Sequence, residues 1–242
     1  IEGKDLVYGN VFAACIVSGG HLEVAKILKG DYDGGTTWLG SNAMAFGPQK
    51  TEDGSTILVV NPHQPMERPF SWYEAHLNSE EGLNIHGAMF PGSSTVFLGN
   101  NENLGWAHTF NHLDLVDVFQ LEMHPKKKRM YKFNGEWHKL EKRPVWLKVK
   151  LAKGIVFPVK KTTYWSKLGA TLKSPDGNFY SVKFAANEKV GVGEQWYRMD
   201  KAQNYEEFYE ALRMESISMF NIIYADKEDN VLYLNNAVVP RR

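Results

Sequence analysis

Cysteine is almost absent, with one thiol, Cys15, in 242 residues. An internal disulfide framework and any multi-thiolate zinc or iron–sulfur site are excluded by that count. Net charge is missing too, 28 Lys+Arg standing against 28 Asp+Glu. The chain as a whole therefore lacks the electrostatic footprint of a nucleic-acid binder, which leaves room for a local basic patch. No long hydrophobic run is present: the most apolar stretch, Val11 to Val17, falls far short of the roughly 20 residues that span a bilayer. There is no His-Glu-x-x-His pair for zinc, no glycine cluster set between a strand and a helix to cradle phosphate, and no Gly-x-Ser-x-Gly elbow. The sequence opens on Ile1, without an initiator Met or a basic segment ahead of an apolar one. Any targeting peptide is expected to lie outside these residues, and the chain reads as a fragment.

What is present is a large apolar supply, 43% hydrophobic and 13% aromatic, enough for one large domain or two small ones with a buried core. Asp5 caps an expected helix through Leu6, Phe12, Ile16 and Val17 that ends at Gly19-Gly20, with Cys15 packed on its apolar side. A second short helix is expected from His21 to Leu28. The polar, glycine-rich segment from Gly30 to Thr37 reads as an exposed loop, the kind of place where chains are cut. From Ser41 the hydrophobic period falls toward two. Ala43 to Phe46 and Thr56 to Val60 read as a hairpin; Phe70 to Leu77, Ser94 to Leu98 and Val116 to Leu121 read as strands. Asn134-Gly135 between aromatic arms is the sharpest hairpin signal. Val145 to Leu151 alternates as a strand with one wet face. Only Ala202 to Met214 reads as helix after residue 40, its Tyr205, Phe208, Tyr209 and Leu212 at helical spacing.

Several motifs occur in order: Gly40-Ser41-Asn42-Ala43-Met44-Ala45-Phe46, Asn61-Pro62-His63, Trp72 to Leu77, Pro91-Gly92, and Gly99-Asn100-Asn101 through Gly105-Trp106-Ala107-His108-Thr109. Asn221 to Asp226 and Pro240-Arg241-Arg242 follow near the end. Together they resemble the penicillin acylase family of N-terminal-nucleophile hydrolases, over residues 36 to 242 with a diffuse middle from 125 to 200. The resemblance implies an α+β fold, the four-layer αββα sandwich of that superfamily, of which this chain is a β-rich part. Residues 1–40 correspond to the end of an α chain or spacer, and 41–242 to the first part of a β chain. It also implies self-cleavage between Gly40 and Ser41. The new α-amino group, with a pKa of roughly 7.7–8.0, would then act as the base for its own hydroxyl.

By motif position, the Asn221 side-chain amide and the Phe110 backbone N–H resemble the oxyanion hole. His63 matches the residue beside the nucleophile's amine, and Arg242, with Arg241 next to it, matches an arginine that holds the asparagine and amine. Asp114, Val116 and Asp117 resemble a structural calcium site whose other ligands come from outside the segment; no cofactor is implied for catalysis. Gln64 stands where the family usually has a large aromatic, and Leu98 falls at a second pocket position that is often aromatic, so the acyl pocket is expected not to be of the phenylacetyl type. The implied reaction is hydrolysis of a linear amide in an N-acylated small molecule, such as a penicillin or an N-acyl homoserine lactone, in the periplasm or outside a bacterial cell. The implied partners are the remaining α- and β-chain segments, with no nucleic acid and no membrane span.

Each residue also has a plainer reading. Ser41 alone is a loop serine or a cap, Asn221 a satisfier of backbone groups, His63 a turn histidine, and Asp114 and Asp117 solvated loop residues. His108 and His112 are expected at the surface, and Lys126 to Arg129 in a solvated turn. The rival from another class is a β-rich ligand- or carbohydrate-binding domain that uses its 7 Trp and 11 Tyr as stacking platforms.

Overall fold

The computed structural model describes residues 2–4, 9, 20–30, 40–64, 67, 71–187, 189–217 and 219–241. The helix expected over Leu6 to Val17 with Cys15, most of the glycine-rich loop, and Arg242 lie outside these residues. The chain divides into two compact units, one built mainly from 37–115 and 186–241, the other from 18–36 and 116–185.

The first unit begins with β1 (Ser41–Phe46) and β2 (Ile57–Pro62), an antiparallel hairpin in which Ser41 lies opposite Pro62, Ala43 opposite Val60 and Ala45 opposite Leu58. It continues through β3 (Tyr73–Ser79), β4 (Leu83–Met89), β5 (Leu98–Asn100) and β6 (Leu104–Phe110). After the second unit the chain returns with α2 (Val192–Lys201), α3 (Tyr205–Leu212), β14 (Phe220–Asp226) and β15 (Val231–Asn235). Six of these strands form one sheet in the order β15-β14-β6-β5-β4-β3.

Strand alternation sends the side chains of that sheet to two different destinations. Trp106 and Tyr224 point to the face covered by the helices, where their rings meet Phe208 of α3 at 5.5 and 4.7 Å. On the same side Phe97 meets Trp196 of α2 at 4.1 Å, and the Trp106 indole N–H donates to the Phe97 carbonyl at 3.0 Å. Trp106, Phe208, Tyr224 and Ile222 are fully buried. The opposite face of β6 and β14 is covered by the β1–β2 hairpin. Contact there is close: a Cβ on Gly105 would come within 3.0 Å of the Leu58 side chain. The unit therefore has helices, sheet and hairpin in successive layers.

Buried polar side chains tie these layers together. Gln195 Oε1 accepts from the Ser216 and Ile217 N–H groups at 2.7 and 2.8 Å, and Asp200 Oδ2 accepts from Val96 N–H at 3.0 Å. Helix α3 starts at Asn204, whose side chain accepts from Glu207 N–H at 2.9 Å, a cap of the expected kind.

The second unit holds α1 (Gly20–Lys29), β7 (Val116–Gln120), β8 (Met130–Phe133), β9 (Glu136–Lys139), β10 (Glu141–Ala152), β11 (Ile155–Ser166), β12 (Gly169–Lys173) and β13 (Phe179–Phe184). Its sheet runs β10-β11-β12-β13-β7, and β8 pairs with β9 across Asn134 and Gly135, both at positive φ, as an Asn-Gly hairpin turn requires. One core cluster holds Leu121, Tyr131 and Leu140, packed by Met123, Phe133, Tyr164, Leu168 and Phe179, and Ile27 of α1 is buried as well. Beyond Tyr164, β10 and β11 pair only with each other, because β12 meets β11 at Tyr164, Trp165 and Ser166 alone.

Several expectations are corrected. Helix α2 was not foreseen, because Gly191, Gly193 and the charged Glu194, Arg198 and Lys201 mask an apolar stripe of Val192, Trp196 and Met199. The strand expected over Ser94 to Leu98 is displaced to Leu98–Asn100. Val145 to Leu151 has no dry face, every residue of β10 being exposed. The neutral charge is neutral only in sum: residues 116–185 carry 16 of the 28 Lys+Arg and 5 of the 28 Asp+Glu, a net +11, which leaves −11 on the rest.

Candidate active site

Ser41 is the first residue of β1, on the hairpin face that turns toward the six-stranded sheet. Its hydroxyl donates to the carbonyl oxygen of Gly40 at 2.6 Å, the carbonyl of the peptide bond that joins the two residues. The His63 backbone N–H donates to Ser41 Oγ at 3.4 Å, and the imidazole lies over Gly40, whose missing Cβ would sit 3.6 Å from His63 Nδ1. His63 follows directly on β2, so pairing of Ser41 with Pro62 brings it to Ser41.

Asn221 enters from the sheet. It lies opposite Thr109 in the β14–β6 ladder, on the face that the hairpin covers. Its Nδ2 donates to Thr109 Oγ1 at 3.1 Å and to the Phe110 carbonyl at 3.3 Å, and its Oδ1 accepts from the Tyr233 hydroxyl at 3.4 Å. The amide is thus oriented from both ends: an acceptor on β6 meets its N–H groups and a donor on β15 meets its oxygen. Thr109 and Tyr233 were not singled out from the sequence. Thr109 is the residue beside Phe110, and Tyr233 alternates with Leu232 and Leu234 on β15, so the register of three strands is what brings them together.

His108 corrects the expectation of a surface histidine. It faces the helices, buried, with Nε2 accepting the Trp196 indole N–H at 3.1 Å and its ring 5.2 Å from Phe220. Burial lowers its pKa to about 4, the nearby Asn221 backbone working in the other direction, so the imidazole is neutral at physiological pH. His112 is exposed, as expected.

A cavity of about 1040 Å³ opens between β2 and the sheet. Pro62, Val60 and Leu58 line one wall, and Ala88, Leu98 and Trp72 line the other. Since Pro62 pairs with Ser41, one end of the apolar stretch lies beside Ser41. Leu98 lines this cavity, whereas Gln64, half-buried after β2, is not among its lining residues.

Asp114 is exposed in the loop after β6, and Val116 and Asp117 begin β7, where Asp117 lies opposite Lys183. Two carboxylates and one carbonyl fall short of the six to eight oxygens that calcium takes. Among the described residues no group of three or more His, Cys, Asp or Glu is arranged to hold a metal ion. No helix among them is long and apolar enough to cross a membrane.

Known proteins share this sequence and fold. The chain is 31% identical over 208 residues to an acyl-homoserine lactone acylase of Pseudomonas fluorescens, covering 83% of this chain and 27% of that protein. It is 28% identical over 227 residues to the aculeacin-A acylase of Actinoplanes utahensis, covering 90% and 28%. Its structure superposes on the thermostable penicillin G acylase from Alcaligenes faecalis with a TM-score of 0.70 at 25% identity, over 81% of this chain and 35% of that one. The chain thus spans about a quarter of the length of the curated relatives it matches. The profile of the penicillin amidase family matches residues 7–242. With so nearly complete a match, the chain belongs to the penicillin amidase family.

Proposed function

We propose that this chain is the nucleophile-bearing part of an amidohydrolase that cleaves the linear amide of N-acylated small molecules, and that Ser41 becomes its N-terminal nucleophile by self-cleavage. The observation that carries the reading is the 2.6 Å hydrogen bond from Ser41 Oγ to the Gly40 carbonyl, with Asn221 oriented on the facing strand. A hydroxyl so close to the preceding carbonyl group supports an N-to-O acyl shift: Oγ bonds to the Gly40 carbonyl carbon, the C–N bond breaks, and the hydroxyl proton passes to the nitrogen. Water then splits the ester, leaving a Gly40 carboxylate and a free Ser41 amine.

In turnover that amine takes the Ser41 proton as Oγ attacks the substrate carbonyl, and returns it to the departing amine. The acyl-Ser41 ester is hydrolysed by water along the same route. Asn221 Nδ2 and the Phe110 N–H serve the oxyanion, a donor of this kind being worth roughly 3–4 kcal/mol. His63 steadies Ser41 from the adjoining strand, and Arg242 is assigned to the amine and asparagine. The apolar run from Pro62 to Leu58 against Leu98 and Ala88 supports an aliphatic acyl group, in keeping with Gln64 in place of an aromatic. Acylases of homoserine lactones and of aculeacin A among the relatives agree with this substrate class.

The four-layer sandwich is the fold this reading requires, its fourth layer supplied by the remaining α- and β-chain segments, which also complete the acyl pocket. Asp114, Val116 and Asp117 are assigned a calcium ion only together with ligands from those segments. A periplasmic or secreted bacterial enzyme is the matching location. Intact-mass measurement under native conditions tests the processing step: two fragments parted before Ser41 are expected, and a single unbroken mass in the wild type, like that of Ser41→Ala, would refute it. Acyl p-nitroanilides of increasing chain length test the pocket, with a phenylacetyl optimum contradicting the aliphatic assignment.

A further inference from the structure

The geometry points to an interfacial arm: we propose that the β10–β11 ribbon docks on an anionic phospholipid surface. The inference is independent of the chemistry at Ser41. Its first observation is topological. From the Arg143–Thr163 pair out to the turn at Lys153-Gly154, the two strands pair only with each other among the described residues. A two-stranded ribbon standing alone in water is marginally stable, so a covering surface would complete it.

The second observation is the chemistry of its faces. Val145, Leu147 and Val149 alternate along one face of β10 and lie opposite Lys161, Val159 and Phe157, with Ile155 following on the same side. Among these Val145, Leu147, Val149, Ile155 and Phe157 are 38–58% exposed, and Leu151 at the tip is 67% exposed. The other face carries Lys142, Lys148 and Lys150, and Lys160 sits 5.6 Å from the ring of Trp146. Arg143 and Lys161 flank the apolar face at its root, and Lys153 stands at the turn. Residues 141–166 hold seven Lys or Arg against Glu141 alone.

Aliphatic surface bounded by lysines, with an exposed tryptophan among them, is the composition of an element that lies in the headgroup region. The apolar side enters the acyl boundary, and the cations stay within about a Debye length of the anionic surface. Lysine stems that run along apolar surface keep their ammonium groups wet in that position. A nucleic acid would use the positive charge but leave the apolar face in water. The net +11 of residues 116–185 supplies the long-range attraction. Lysines and Pro144 on the free edge of β10 guard against strand pairing, but they do not account for an exposed aliphatic face behind them.

Flotation of the intact 242-residue chain with vesicles tests this. Partition onto equimolar phosphatidylcholine–phosphatidylglycerol vesicles should exceed that onto phosphatidylcholine alone by about tenfold and fall steeply with added salt. The double variant Leu147→Asp/Phe157→Asp, at positions that do not face each other directly, should lose about tenfold in partition, and Lys148→Glu/Lys150→Glu/Lys160→Glu should bring anionic vesicles down to the neutral level. All five positions are solvent-exposed, so the wild-type melting temperature should persist. Equal partition onto the two vesicle types, or undiminished partition by the double variant, overturns the proposal. So does DNA retention in a gel shift without vesicle binding, or a dimer that the double variant dissolves without vesicle binding.

Discussion

The two units place their tryptophans differently, Trp106 and Trp196 being buried in the first and Trp137 and Trp146 exposed in the second. In the first, Trp106, Phe208 and Tyr224 have no exposed surface, and the sheet between them is covered on both faces. In the second, Trp146 is 64% exposed, and one core cluster gathers around Leu121, Tyr131 and Leu140. Coverage on both faces lets the first unit keep polar atoms in a dry setting, where a hydrogen bond both costs more to lose and orients more strongly. His108, Asp200, Gln195 and the Asn221 amide all belong to it. The second unit offers charge and surface instead. Replacing the same residue type in each gives the largest contrast: Trp106→Ala should cost about 3–5 kcal/mol of stability, while Trp146→Ala should stay within about 0.5 kcal/mol. Urea denaturation of the two variants measures both, and similar costs would erase the comparison.

The dry interior of the first unit also predicts an unusual response to pH. Burial raises the Asp200 pKa to about 8, with the Val96 N–H opposing it. A carboxyl with a raised pKa binds its proton more tightly folded than unfolded, so its contribution weakens as pH rises from about 4 through 8. His108 runs the other way, since its lowered pKa makes the folded state lose stability as pH falls from about 6.5 to 4. Asp200→Asn keeps an acceptor for Val96 and removes the first effect. Between pH 5 and pH 8 the variant should gain on the wild type by about 3 kcal/mol. Thermal melting across that range checks it, and parallel curves would show that Asp200 does not carry the proton.

Smaller still is the expected loss of transition-state stabilisation at the site. Asn221→Ala should lower kcat about 100-fold, read on the aliphatic p-nitroanilide that the wild type cleaves best. Thr109→Val should reduce kcat about tenfold with KM unchanged, because it removes an acceptor that orients the amide, and Thr109→Ser should restore it. A change in KM alone would assign Thr109 to the pocket.

How much of this was legible in the sequence divides along the same line. Gly40-Ser41, His63, Leu98 and Asn221 are singled out by the family resemblance and not by their own local pattern, and strand register brings Ser41 and His63 to each other and Asn221 to the face that the hairpin covers. Thr109 and Tyr233 were invisible because their value depends on which strands are neighbours, and β15-β14-β6 joins segments more than a hundred residues apart. His108 was misplaced for the related reason that a helix hidden by glycines and charges, α2, supplies the indole that buries it. In the second unit the Asn134-Gly135 hairpin was legible from turn chemistry alone. The alternation of Val145 to Leu151 marked a strand correctly but gave no sign that its apolar side would meet solvent. Summing charge over the whole chain hid the most distinctive property of that unit.

The smallest predicted effect probes the thin interior directly. The Tyr131 ring is buried, and its hydroxyl accepts the Lys167 backbone N–H at 2.8 Å, fastening the β8–β9 hairpin to the turn between β11 and β12. Tyr131→Phe keeps the ring and removes only that acceptor. The N–H it leaves unpaired should cost about 1–2 kcal/mol, measured by urea denaturation. Removing a whole side chain is not needed to weaken this unit, because the Tyr131 hydroxyl links the hairpin to a turn that Ser166 Oγ also holds through the Leu168 N–H. If Tyr131→Phe is instead neutral, then water replaces the hydroxyl without loss, and the core of the second unit is wetter than the burial of Tyr131 implies.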